Sequence, residues 1–237
     1  MDTFFGTIQG QEALLESEEF HHAVRVLRLR PGQEIRVIDG AGRAFRARLL
    51  SVERRQERAR LELLEPLPSG EPRHRVALAT AVPRGERMDF LVEKAVELGV
   101  AEVVPLRFAR SVRIQAGRRD RWHRIARSAV KQSGRARLPQ IAAPQTLGEW
   151  LAELPESVEG WALHPGGENP QRAPALPDPE VPRVLVVGPE GGLVPEEVEQ
   201  LQARGFRVWS LGPRILRVET AALAGLALLM HQLGELA

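Results

Sequence analysis

Two short stretches carry the residues best suited to chemistry. The first is Gly-Pro-Glu-Gly-Gly-Leu at 188–193, which follows the apolar run Arg-Val-Leu-Val-Val and leads into the charged segment 195–201. The second is Leu-Gly-Pro-Arg-Ile-Leu-Arg-Val-Glu-Thr at 211–220, which follows Phe206–Ser210 and opens the last helical segment. Glycine lets backbone N–H and C=O groups approach a guest, and such groups suit an adenine edge or an amino-acid carboxylate. In an open α/β sheet, paired loops at the carboxyl ends of neighbouring strands form the usual ligand crevice. Taken singly, each loop has an equally good structural reading. Gly188 and Gly192 could only shape a strand-to-helix turn, and Gly212 a bend before a helix N-capped near Thr220.

Several chemistries are excluded at once. A phosphate-binding loop needs Lys and Ser or Thr after its last glycine, where this chain has Leu193 and Val194. The dinucleotide fingerprint fails too, since Pro189 and Glu190 stand in its spacing and Glu190 would repel a pyrophosphate. There is no Gly-x-Ser-x-Gly elbow and no cysteine, which removes thiol catalysis, disulfides and thiolate zinc. The six histidines show no metal spacing. His21 and His22 are adjacent on a helical segment and so diverge, which favours surface or packing roles; no metal is expected.

The elements that must position these loops read as two groups. Residues 1–70 form a small strand-rich unit with one helix, starting after Ser17 as N-cap and carrying Phe20, Val24 and Leu27 on one face. A hairpin follows over 34–52, with Arg43, Arg46 and Arg48 at its turn and on its return strand. The Pro-rich stretch 66–75 marks a linker, with a boundary near residue 72. Beyond it, apolar runs at 75–82, 101–106, 160–165, 183–188 and 206–212 alternate with helical patterns. One helix shows Phe90, Val92, Ala95, Val96 and Leu98 as its apolar side and is ended by Gly99; another carries Trp122, Ile125, Ala129 and Val130. This alternation predicts an α/β domain with a mostly parallel sheet and helices on both faces. The segment 219–237 is apolar nearly all round, so it belongs in the core or against a partner chain. Residues 164–182, with six prolines and no periodicity, read as a surface excursion.

Charge is unevenly spread. Residues 1–150 hold 27 Lys and Arg against 19 Asp and Glu, whereas 151–237 hold 6 against 12. Between Arg107 and Arg137 there are eleven basic residues and one acid, Asp120. A solvated helix face in an arginine-biased composition explains why these are Arg (31, against 2 Lys), but not why acids are missing. A polyanion such as nucleic acid is the better partner. No run of eighteen apolar residues and no signal-peptide pattern is present, which predicts a cytoplasmic protein without membrane attachment.

In order along the chain, "HHAVRVLRLRPGQEI", "RMDFLVEKAVELGV", "KQSGRARLP", "VGPEGGL" and "LGPRILRVETAALAGLALL" closely resemble the RsmE family. These are bacterial SPOUT-superfamily enzymes that methylate N3 of a uridine in 16S, small-subunit, ribosomal RNA. The resemblance covers nearly the whole chain. It implies an N-terminal PUA-like RNA-binding β-barrel over 1–70 and a SPOUT methyltransferase domain over 73–237. That domain would have a C-terminal trefoil knot, hold S-adenosylmethionine and pair as a homodimer, with 16S rRNA or the assembled small subunit as partner. Departures from the family pattern are small: Arg84 stands where lysine is common, and Ala109 precedes Arg110-Ser111 where glutamate is common.

Carried onto this chain, the cofactor pocket comprises Gly188, Pro189, Glu190, Gly191 and Gly192 with Leu211, Gly212, Ile215, Leu216 and Arg217, and Leu163 as a further wall. Methylating a uracil nitrogen requires loss of its proton and charge stabilisation on the flanking oxygens. Arg217 is the candidate for holding a phosphate or those oxygens, with an ion pair to Glu219 as its structural alternative. Glu219 and Glu190 are the candidate proton acceptors, although each could instead accept loop N–H bonds or cap a helix. The target base must be unpaired or flipped. The RNA surface would use Arg107, Arg110, Arg113, Arg118, Arg119, Arg121, Arg124 and Lys131 with Arg43, Arg46 and Arg48. Two rival classes remain. An RNA-binding assembly protein without chemistry is disfavoured by the intact glycine loops. A nucleotide-dependent oxidoreductase is disfavoured by the absent fingerprint and the basic block.

Overall fold

The computed structural model describes residues 1–111, 118–170 and 178–236. Two compact units divide it: Met1–Glu71 with Val130–Leu138, and Pro72–Ala129 with Pro139–Ala237. The nine-residue segment after residue 129 joins the first unit, although the sequence pattern ends that unit at 70.

The first unit contains β1 (Thr3–Phe5), β2 (Thr7–Gln9), β3 (Glu12–Glu16), the short helix α1 (Ser17–Phe20), β4 (Glu34–Ile38), β5 (Ala44–Glu53) and β6 (Arg58–Leu67). Its sheet order is β1-β4-β5-β6-β3-β2, parallel only between β1 and β4. Strands β1 and β2 occupy opposite edges yet are separated by Gly6 alone, so the sheet must curl until its edges meet. A Cβ on Gly6 would lie 2.8 Å from Val37 Cγ1, which is why only glycine fits that corner. Register shifts in β5 at Arg46/Ala47 and Leu49/Ser51 add to the curvature. Phe4, Leu15, Phe20, Ile35, Val37, Leu49 and Leu61 fill the interior. Ser17 is not the cap that its type suggests. It is the first residue of α1, has φ of +50°, and is preceded by Glu16 at the cap position. A π-helical turn, His21–Val26, follows directly.

The second unit contains β7 (Val76–Ala81), α2 (Arg87–Glu97), β8 (Glu102–Arg107), β9 (Gln140–Ile141), β10 (Gln145–Thr146), α4 (Leu147–Glu153), β11 (Glu159–Glu168), β12 (Arg183–Val187), α5 (Pro195–Ala203), β13 (Arg207–Trp209) and α6 (Val218–Gln232). Helix α3 (Arg118–Ser133) has its first twelve residues in this unit. The sheet order is β10-β8-β7-β12-β11-β13, with β9 also on β8, and all its pairings are parallel. Both faces of β12 are buried, as its unbroken apolar sequence requires. Val184 and Val186 join Trp150, Leu151, Leu201 and Phe206 on the side of α4 and α5. Helix α6 packs on β12 and β7, beside α2, on the other face. The chain leaves the β13 edge and crosses back over the sheet to reach that position. The architecture is therefore α/β, a parallel sheet with helices on both faces, preceded by a curled β-sheet.

Local departures from the sequence pattern have clear causes. Strand β11 runs to Glu168, taking the first five residues of the expected excursion, because Ser210 N–H donates to Glu168 O at 2.8 Å and holds the strand end to β13. Residues 171–177 of that stretch lie outside the described residues. Phe90 is 49% exposed, and the buried face of α2 uses Met88 and Leu91 instead. Helix α6 starts at Val218 with Arg217 at the cap position, so Thr220 lies inside the first turn.

Candidate active site

A cleft opens at the carboxyl ends of β11, β12 and β13, where the two glycine loops face each other. Its walls are Leu163, Val187, Leu193, Trp209, Leu211, Leu216, Val218 and Ala221, with His164, Pro165, Gly188, Pro189, Glu190, Gly192, Gly212, Arg214 and Ile215 completing the rim. Trp209 is braced from behind by Trp161, ring centroids 5.3 Å apart. Of the proposed cofactor residues, Leu163, Gly188, Pro189, Glu190, Gly192, Leu211, Gly212, Ile215 and Leu216 line this cleft. Gly191 and Arg217 do not, although each adjoins a lining residue. Ile215 is 96% exposed.

The loops owe their shape to local bonding. A Cβ on Gly188 would meet Leu193 Cδ2 at 2.8 Å, so the strand end must be glycine for Leu193 to fold back into the core. Gly192 N–H donates to Pro189 O at 2.8 Å and closes the turn. Pro195 opens α5, and the buried Glu197 carboxylate accepts from Val194 N–H at 2.9 Å and from Ala109 N–H at 2.7 Å. Gly212 has φ of +95°, a conformation closed to most side chains, with its N–H on Ser210 Oγ at 3.3 Å.

Charged groups gather beside the cleft. Arg87, in the first turn of α2, reaches both candidate acids: its Nε lies 3.7 Å from Glu219 Oε1 and its Nη1 4.0 Å from Glu190 Oε1. The other Glu219 oxygen, Oε2, is buried and has no hydrogen-bond partner among the described residues. Arg217 is exposed and makes no ion pair with Glu219 among the described residues; that acid's partner is Arg87. Composition and motif spacing gave no reason to select Arg87. Its partners lie more than a hundred positions away in sequence, and only the fold joins them.

The basic residues expected to face RNA are mostly engaged. Arg43 pairs with Asp39 at 2.6 Å. Its N–H bonds, with that of Ala41, outweigh the burial that opposes ionisation and hold the Asp39 carboxyl below its usual value. Arg46 lies between Glu65 (3.1 Å) and Glu34 (3.6 Å), and Arg48 between Glu34 (3.1 Å) and Glu62 (3.4 Å). Arg107 is 3.8 Å from Glu149. Arg110 donates to Gly191 O at 2.6 Å, Arg118 to Gly85 O and Arg119 to Ile141 O, each at 2.8 Å. Arg121 pairs with the buried Asp89 at 2.7 Å and Lys131 with Glu19 at 3.2 Å. Arg124 is exposed on α3. Arg113 lies outside the described residues. Among the described residues no group of three or more His, Cys, Asp or Glu is placed to hold a metal. No helix there is long and apolar enough to cross a membrane.

A parallel α/β sheet with a glycine-loop cleft, attached to a curled β unit, defines an RNA methyltransferase of two parts. Residues 70–230 match the family model of an RNA methyltransferase domain, and residues 15–62 that of an RNA methyltransferase PUA domain. Ribosomal RNA small subunit methyltransferase E of a Synechocystis strain is 33% identical over 90% of this chain and 71% of that protein. The Mycobacterium bovis protein of the same name is 32% identical over 92% and 85%. The crystal structure of the Neisseria gonorrhoeae ribosomal RNA small subunit methyltransferase E bound to S-adenosyl methionine superposes with a TM-score of 0.84, at 33% identity, covering 98% of this chain and 97% of that one. The chain belongs to the ribosomal RNA small subunit methyltransferase E family.

Proposed function

We propose that the cleft binds S-adenosylmethionine and that the protein methylates N3 of a uridine in 16S ribosomal RNA. The observation that carries this is the meeting of both glycine loops around one apolar-walled cleft beside Glu219. The residues fit the cofactor. Leu163, Leu211, Leu216 and Val218 offer faces for an adenine ring, and the tight turns at Gly188 and Gly212 leave main-chain polar groups open to it. Gly191 and Arg217 support the pocket from its margin.

Bound S-adenosylmethionine supplies an electrophilic sulfonium methyl. The chain's own groups do the rest. Uracil N3 carries a proton that must leave as the nitrogen attacks, and Glu219 Oε2 is a buried acceptor in want of a donor. Arg87 holds the second oxygen of that carboxylate and keeps Glu190 within the same field. Arg217, exposed next to the lining residue Leu216, holds a phosphate or a uracil oxygen. The apolar walls exclude water from the reacting atoms.

RNA is held by cations outside the cleft: Arg107, Arg110, Arg113, Arg118, Arg119, Arg121, Arg124 and Lys131, with Arg43, Arg46 and Arg48 of the first unit contributing whatever their carboxylate partners leave. Such contacts position a backbone without reading sequence. The first 70 residues serve as the RNA-binding domain and 73–237 as the catalytic one. The protein works as a homodimer in the cytoplasm, on rRNA or the assembled small subunit. Helix α6 supports pairing, because Leu223, Ala227 and Leu228 remain half-buried and Ala224 is exposed on a face without charge. The deciding experiment is labelled methyl transfer to small subunits from a strain lacking this enzyme, followed by nucleoside analysis. Label in 3-methyluridine is expected; label in a cytidine or at a ribose 2′-oxygen would refute the assignment.

A further inference from the structure

The outer face of the first unit's sheet offers few free cations. Arg46 and Arg48 are engaged as described, Arg58 meets Glu16 at 2.7 Å, and Arg60 meets Glu12 at 2.8 Å. A different part of the same unit is basic without such compensation. From the end of the π-helical residues into the turn that follows, Arg25, Val26, Leu27, Arg28 and Arg30 are all exposed. Among the described residues no carboxylate lies within ion-pair distance of Arg28 or Arg30. Arg25 has Glu57 at 3.5 Å, with both side chains more than half exposed.

The backbone explains why this segment faces outward. Leu27 N–H donates to His22 O at 3.0 Å, a five-residue span that widens the turn, and Leu29 N–H donates to Ala23 O at 3.0 Å. Ala23 and Val24 stay in the core, while Val26 and Leu27 are left 56% and 39% exposed. Arg28 then adopts φ of +55°, which is unfavourable for a side chain of its size. The turn is fastened to β5 by Gly32 N–H to Leu49 O (2.7 Å) and Leu49 N–H to Gln33 O (2.9 Å). A strained, anchored turn therefore presents two aliphatic side chains, Val26 and Leu27, next to the guanidinium groups of Arg28 and Arg30.

We infer that the turn Arg25–Arg30 is the first unit's docking surface for a single-stranded RNA segment: Arg28 and Arg30 contact phosphates while Val26 and Leu27 cover base faces. The inference rests on the RNA-methylating reading above and names the surface that this reading leaves open. Charge selects the occupant. A second copy docking on the same patch would set Arg28 and Arg30 against their own counterparts, whereas a phosphate backbone complements them. Guanidinium groups and aliphatic side chains together suit unstacked nucleotides better than a duplex.

The test compares two charge-matched double variants. Arg28→Gln/Arg30→Gln and Arg58→Gln/Arg60→Gln each remove two cations, one pair from the turn and one from the ion-paired sheet. Binding of a 16S rRNA fragment is measured across a salt series, with thermal melts to show that folding is intact. The turn variant is expected to bind roughly tenfold more weakly at moderate salt and to lower the slope of log K against log salt by about 1.4, the value for two single-strand phosphate contacts. The sheet variant should change affinity by no more than about twofold and leave the slope alone, as expected for exposed ion pairs. Val26→Ser/Leu27→Ser should weaken binding with the slope unchanged. Equal losses in both charge variants, or full binding by the turn variant, would overturn the inference. So would full binding of naked RNA combined with lost methylation of assembled subunits, because the turn would then dock on a protein. Calorimetry with S-adenosylmethionine on each variant keeps a failure of the cofactor reading distinguishable.

Discussion

Arg87 links two loops that approach the cleft from different parts of the chain. Because it stands near Glu190 and Glu219 together, its removal should disturb the geometry of the reacting groups more than the binding of the cofactor. Arg87→Met is expected to lower kcat by about fivefold, corresponding to loss of roughly 1 kcal/mol of hydrogen-bonded charge pairing. The Kd for S-adenosylmethionine should hold within about twofold, and Arg87→Lys should recover part of the rate. A second substitution probes the walls. At Gly212, with φ of +95°, a β-branched residue is strained whatever space surrounds it. Gly212→Val should therefore weaken cofactor binding by about 5- to 150-fold in calorimetry, for a conformational cost of roughly 1–3 kcal/mol. RNA affinity should be preserved. The glycine loops were legible because an apolar run that stops abruptly at glycine marks a strand end where the backbone is closely approached. Arg87 was not, since an arginine one turn into an amphipathic helix looks like any solvated charge.

Elements were legible where a period repeats and less so where tertiary bonds set their ends. The apolar run 183–187 marks β12, and Val92, Ala95 and Val96 of the expected pattern lie on the buried face of α2, although Phe90 of the same pattern does not. The length of β11 depends instead on a bond from Ser210, which no local pattern encodes. The end of α6 is a comparable case. Glu235, just beyond the helix, accepts from His74 N–H at 2.9 Å and lies 2.6 Å from His74 Nδ1, joining residues 161 positions apart. Burial opposes ionisation of Glu235, but the bonds from His74, with one from the Arg73 main chain, outweigh it and leave the carboxyl below its ordinary value. A depressed carboxyl adds stability in full above the ordinary carboxylate range and loses it as pH falls through the folded value. Glu235→Gln should thus cost about 1–2 kcal/mol near neutral pH. The difference from the parent should shrink in acid. Urea titrations at both conditions would show this, and a constant difference would mean that the pair does not titrate with folding.

For the whole molecule, division into two parts was legible in the proline-rich stretch near residue 70, where hydrophobic periodicity lapses. Membership of Val130–Leu138 in the first unit was not, because the segment starts inside a helix that begins in the other. The proposed pairing of two copies through α6 gives a further prediction. Leu228→Asp, which places a charge on the half-buried apolar face, should convert a species of twice the chain mass into one of single mass in sedimentation equilibrium.

The carboxylate partners of the first unit's arginines also govern how that sheet assembles. Alternation of buried and exposed residues cannot separate two alignments that differ by two positions, since both bury the same face. Charge can. In the observed pairing of β5 and β6, Arg48 stands opposite Glu62 and Arg46 opposite Glu65, while Glu34 of β4 stands opposite Arg48. Sliding β6 by two residues would set Arg48 against Arg60, exchanging attraction for repulsion without exposing any of the core. The ion pairs that reduce this face's appeal to RNA therefore also favour the observed alignment of β5 and β6 over one displaced by two residues in that direction, a distinction that hydrophobicity alone does not make.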